Sequence, residues 1–229
     1  MADYTVDFSR TKDGWAGTHL VLFLHGYGSN EKDLMGLRGH INLPEDKITY
    51  AAMRAPQPVG YVLPADADTA EVKQTAQGYQ WWPLNQQLHT VSFKAIELAT
   101  DYLLMWVSAI ADEFESITLV GFSQGMAVAT SAARRKPKLF KAVVGLSGYV
   151  VDGGDNYFMD AEFVLTPLPL FWGRGDADTV IPADKIAYTA DWAHKFAQAT
   201  IHTYPGLAHS VSAEELDHFA DFIKQQVLS

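Results

Sequence analysis

The sequence predicts an α/β fold, a mostly parallel central sheet flanked by helices on both faces. Two observations predict it. Short β-branched or apolar runs alternate with longer segments of helical period, the alternation that builds parallel strands joined by crossover helices. The strand-like runs are near-continuously apolar, which marks strands covered on both sides. At 229 residues and 48% hydrophobic, the chain supplies one substantial core and is too short for two ordinary domains, so a single domain over residues 1–229 is expected.

Taken in order, residues 4–10 (YTVDFSR) read as an antiparallel edge strand, and residues 18–26 (THLVLFLHG) as a buried strand entering a glycine-rich turn. Residues 47–56 form a second buried strand, stopped by Pro56 and Pro58. Residues 116–123, 141–150, 167–175 and 199–206 supply four more. Residues 92–114 carry Phe93, Ile96, Leu98, Leu103, Leu104, Val107 and Ile110 at roughly helical spacing. Residues 184–198 and 213–228 read as amphipathic helices whose Trp192, Phe196, Phe219 and Phe222 face the core.

Composition excludes several function classes. With no cysteine there are no disulfides, thiolate-bound zinc, iron–sulfur clusters or cysteine nucleophile. The formal charge of −10, from 17 basic and 27 acidic residues, works against binding nucleic acid. The basic cluster Arg134–Lys138 reads as a solvated C-terminal turn that complements a helix dipole. No run approaches the about 20 apolar residues that span a bilayer, and the N-terminus has no export signal, so a soluble, cytoplasmic protein is expected.

The chemistry gathers around LVGFSQGMA, residues 119–127. Gly-x-Ser-x-Gly specifies a nucleophile only where a strand precedes it and a helix follows, because the serine sits on a strained turn between small residues. Residues 116–122 supply the strand and residues 125–135 the helix, which makes Ser123 the candidate nucleophile. A serine hydroxyl needs a base, and the base needs an orienting acid, in the chain order Ser, acid, His. Of the downstream histidines, His194 is mid-helix, His202 lies in a strand and His218 in the last helix. His209 stands in a glycine-containing loop between the last strand and last helix, where it reaches back over the sheet. For the acid, Asp178 is preferred over Asp176, with Asp152 and Asp155 as weaker alternatives. An oxyanion needs fixed backbone donors, and the N–H groups of Gln124 and of Tyr27, in the turn HGYGSN, stand at the required places.

FLHGYGSNEKDL, RAPQPV, VGFSQGMA, GRGDADTVIP and GLAHS, in that order, resemble the carboxylesterase/phospholipase family of α/β-hydrolases, the group that includes acyl-protein thioesterases. The resemblance runs from about residue 18 to the C-terminus. It implies the α/β-hydrolase fold and a serine hydrolase with Ser123 as nucleophile, Asp178 as acid, His209 as base, and Tyr27 and Gln124 as oxyanion donors. Two departures bear on the substrate. Arg174-Gly175 stands where the family often has His-Gly, which allows a pairing of Arg174 with Asp176, and Met126 stands where a second glycine is frequent.

Residues 78–88 (GYQWWPLNQQL) connect the second buried strand to the long helix. Trp81 and Trp82 are candidates either for the core or for an acyl or aromatic slot beside the serine, and Met126 is grouped with them as pocket-shaping. Residues 151–166 are the other candidate lid, and their acidity disfavours anionic substrates. The reading is hydrolysis of an uncharged, short-to-medium carboxylic ester, with no metal or organic cofactor required. Alternatives are a thioesterase or lysophospholipase using the same triad, and a non-catalytic α/β-hydrolase that binds a small ligand. A homodimer is left open.

Overall fold

The computed structural model describes residues 4–59, 78–84, 92–154 and 156–228. At its centre, strands β1 (Val6–Phe8), β2 (His19–Leu24), β3 (Ile48–Met53), β6 (Ser116–Phe122), β7 (Ala142–Leu146), β8 (Leu168–Gly175) and β9 (Ala197–Tyr204) form a seven-stranded sheet in the order β1-β3-β2-β6-β7-β8-β9. Only β1 runs antiparallel, against β3; every other pairing is parallel. A small antiparallel pair, β4 (Gln57–Pro58) and β5 (Tyr79–Gln80), lies outside this sheet.

Strand alternation gives each face its own core. Leu20, Leu22 and Leu24 of β2 point to one face, where helices α2 (Phe93–Ile110), α3 (Gln124–Arg135) and α4 (Ala183–Phe196) pack. Val21 and Phe23 point to the other, covered by α1 (Glu31–Met35) and α5 (Ala213–Val227). Central strands buried on both sides are why β2, β6 and β7 read as near-continuous apolar runs. Trp192, Phe219 and Phe222 are buried and Phe196 packs partly buried on its core, whereas Leu98 in α2 faces outward.

Three expectations need correction. Residues 199–206 are not a doubly buried strand: β9 closes the sheet edge and most of its residues are exposed, as its polar composition allows. The strand expected over residues 141–150 stops at Leu146 because Ser147 takes a positive φ of 44°, which breaks the extended ladder. Arg134 is not solvated. It is 1% exposed, donates through Nε and Nη2 to Asp160 at 2.8 and 2.7 Å, and lies 3.8 Å over the Phe158 ring. Residues 156–164 fold back onto the end of α3, and Asp160 there supplies the counter-charge that makes burial of the guanidinium tolerable. The segment α1 was not expected; Asn30 caps it, its side chain accepting from the Lys32 amide at 2.9 Å.

Candidate active site

Ser123 joins β6 to α3 with φ 55° and ψ −117°, a conformation few non-glycine residues hold. The surrounding glycines let the turn close. A methyl group on Gly121 would strike the Gly125 backbone, and one on Gly125 would strike the Leu24 carbonyl, so α3 approaches β2 and β6 as backbone against backbone. The sharp turn lifts the Ser123 hydroxyl above the C-terminal edge of the sheet, at the start of a helix.

His209 comes from the loop between β9 and α5, and Asp178 from the loop after β8. His209 Nε2 lies 3.0 Å from Ser123 Oγ, and His209 Nδ1 lies 2.8 Å from Asp178 Oδ2. A carboxylate only accepts, so Nδ1 carries the proton and Nε2 is left to accept from the serine hydroxyl. Asp178 is itself held: its Oδ1 accepts from the amides of Val180 at 2.8 Å and Ile181 at 3.4 Å. The histidine ring rests on Phe122, 5.0 Å between centroids. The other candidates lie elsewhere. His194 is exposed on α4, His202 and His218 stack on each other 4.4 Å apart on the β9 side, and Asp152 is exposed. Asp155 falls outside the described residues. Asp176 accepts from the Gly206 amide at 2.6 Å, shaping the loop, and among the described residues it forms no ion pair with Arg174.

The turn after β2 is fixed from several sides. His25 is buried, and burial lowers its pKa; its neutral ring donates from Nδ1 to the Gly26 carbonyl at 2.8 Å and accepts at Nε2 from the Ala55 amide at 3.0 Å. Gly28, at φ 82°, donates its amide to Tyr79 at 2.8 Å, and the Tyr79 amide returns to Ser29 at 2.7 Å. Arg54 holds the buried Glu31 through two contacts of 2.6 Å, anchoring the start of α1. Tyr27, between these anchors, lines the same cleft as Ser123, Gln124 and His209.

That cleft encloses about 330 Å³, and its remaining walls are largely apolar, including Leu84, Ile181 and Pro182. Tyr149 and Lys185 complete it. Trp81, Trp82 and Met126 do not line it. Both tryptophans are fully buried, and Trp81 Nε1 donates to the His25 carbonyl at 2.9 Å, so they support the turn from below. Met126 fills the space left by Gly145 and Gly148 on the core side of α3. Nor do the described residues of 151–166 line the cleft over the serine: Phe158 and Phe163 are buried and Asp160 is tied to Arg134. Of the other lid candidate, residues 85–88 lie outside the described residues.

Sequence reasoning nominated Gln124 for its amide and missed its side chain. Gln124 Oε1 accepts from the Trp81 amide at 2.9 Å, and Nε2 donates to the Trp82 carbonyl at 2.8 Å. It also missed Tyr149, Ile181, Pro182 and Lys185. Their signal was position: Tyr149, Ile181 and Pro182 stand in the loops that leave the C-terminal ends of β7 and β8, where α/β sheets bind ligands, and Lys185 lies in the first turn of the helix that follows.

Comparison with known proteins yields matches along almost the whole chain. A family model described as phospholipase/carboxylesterase matches residues 12–227. Acyl-protein thioesterase 1 of Candida albicans is 30% identical over 227 residues, covering 94% of this chain and 95% of that protein. A probable carboxylesterase of Oryza sativa is 28% identical, covering 90% of this chain and 77% of its own. The crystal structure of esterase PE8 superimposes with a TM-score of 0.75 at 24% identity, covering 98% of this chain and 99% of that one.

Proposed function

The chain belongs to the phospholipase/carboxylesterase family of α/β-hydrolases and is an esterase-type hydrolase; on that premise we propose that it cleaves carboxylic esters with a short-to-medium acyl or alcohol part through an acyl-enzyme on Ser123. The observation that carries this reading is the unbroken line from Ser123 Oγ through His209 to Asp178, with contacts of 3.0 and 2.8 Å. His209 takes the hydroxyl proton as Ser123 attacks the ester carbonyl, then gives it to the departing alcohol. Asp178 holds the ring in the tautomer that accepts at Nε2 and stabilises the imidazolium that forms. The amides of Tyr27 and Gln124 receive the oxyanion, and water then releases the acid by the same steps reversed. Gln124 thus serves twice, since its side chain fixes the Trp81-Trp82 backbone while its amide faces the reacting carbonyl.

Turnover of 4-nitrophenyl esters over a series of acyl lengths tests the reading. Ser123→Ala should lose at least about 10⁴-fold in kcat while keeping its fold, as expected for removal of a nucleophile. A folded variant that retains wild-type turnover would place the chemistry elsewhere. Thioester hydrolysis is the second reading, favoured by the name of the Candida albicans relative. The same acyl-enzyme serves both, and a matched oxyester and thioester with one acyl group decide which is preferred.

A further inference from the structure

One charged side chain in the cleft has no place in the proton transfers. Lys185, in the first turn of α4, lines the Ser123 cleft and also a second cavity of about 230 Å³ that includes Val151 and Asp152. Tyr149 lines both as well, so the pair forms the partition between them. The Lys185 ammonium sits 4.1 Å from the centroid of the Tyr149 ring. Burial pushes the Tyr149 hydroxyl up to about 12, so this neighbour stays a neutral phenol and supplies no counter-charge.

Among the described residues no carboxylate comes within ion-pair distance of Lys185. Asp184 acts on it only at a distance and is exposed, and Asp152, on the far side of the partition, is exposed too. Partial burial disfavours the charged ammonium and lowers the Lys185 pKa, and the Tyr149 ring face is the favourable contact it has within the partition. A bound anion would complete the site. Lys185 is the one Lys or Arg among the lining residues of the Ser123 cleft, and a single point charge suits a single carboxylate, whereas a phosphate dianion would require further donors.

We propose that Lys185 sets the specificity of the site, selecting esters that carry a carboxylate at the end remote from the scissile bond. The inference rests on the hydrolase reading of Ser123 and adds the charge of its substrate. It reverses the expectation of an uncharged ester, which drew on the acidity of residues 151–166; none of their described residues lines the Ser123 cleft, so a bound molecule meets the charge of Lys185 first.

Two matched pairs test it. One pair is 4-nitrophenyl hydrogen adipate and its methyl ester, with the carboxylate on the acyl side. The other is 4-acetoxybenzoate and its methyl ester, with the carboxylate on the leaving group. Within each protein the ratio of kcat/KM for acid over methyl ester cancels changes common to both substrates. In Lys185→Met that ratio should fall about tenfold for at least one pair, the size of one partly exposed charge-assisted contact, and Lys185→Arg should restore most of it. Unchanged ratios for both pairs in Lys185→Met overturn the inference while leaving the hydrolase reading intact. Should folded wild-type protein turn over none of the four esters, the hydrolase reading falls instead, and calorimetric binding of adipate decides the role of Lys185. Binding weakened in Lys185→Met supports it, and undetectable or equal binding to both proteins overturns it.

Discussion

Glu215 is fully buried in the first turn of α5, in the room left by Gly173, and burial raises its carboxyl to about 7. The unfolded chain releases this proton near its ordinary value of 4.5, while the native state holds it to about 7. Across that window the native state binds more protons than the unfolded one, so stability falls as pH rises and levels off above the folded value. The loss is roughly 3 kcal/mol in total. Glu215→Gln keeps the shape without the titration, so its urea midpoint should exceed that of the wild type at pH 8 and converge on it toward pH 4.5. Parallel pH profiles for the two proteins would refute the account. Ser212 caps this helix, its Oγ accepting from the Glu215 amide at 3.1 Å. The burial of Glu215 was not legible in the sequence, because it depends on a glycine in β8. Ser123, Asp178 and His209 were legible for the opposite reason: each stands at a strand end, and strand ends are written in the local sequence.

At the scale of elements, residues 156–164 are held to α3 and α4 by one buried charge pair. Arg134 Nη1 donates to the Val151 carbonyl at 2.6 Å, and Trp192 Nε1 donates to Asp160 Oδ2 at 3.1 Å, so three segments meet at this ion pair. Arg134→Met leaves the Asp160 carboxylate without its partner and should cost about 3 kcal/mol in denaturant unfolding, since breaking a buried pair strands a charge. A change below about 0.5 kcal/mol, the size of an ordinary surface substitution, would show the pair to be dispensable. No local reading of the basic run 134–138 could have found this, because Asp160 lies 26 residues further on. Likewise α1 is too short to display a period, and Trp81 and Trp82 are apolar wherever they sit. The long helices and central strands were legible because a whole face or a whole run of each is apolar. The edge strand β9 has one neighbour and solvent beyond, and its sequence carries less of that signal.

The two layers of core share every central strand of one sheet, so neither layer can be lost while the other keeps its floor. One cooperative unfolding transition is expected, with far-ultraviolet circular dichroism and tryptophan fluorescence coincident. The six tryptophans make the test a demanding one, because they are distributed from Trp15 near β2 to Trp192 in α4. Two separated transitions would argue for two units instead of one domain. Assembly of the sheet also sets an order of events. Ser123 and His209 meet across 86 residues of chain, whereas β6 and α3 form the serine turn from neighbouring residues. Contacts so distant in sequence close late. On the proposed triad, a refolding molecule should stay inert until β8 and β9 bring the carboxylate and imidazole to the serine turn, so the return of turnover should lag the return of tryptophan fluorescence.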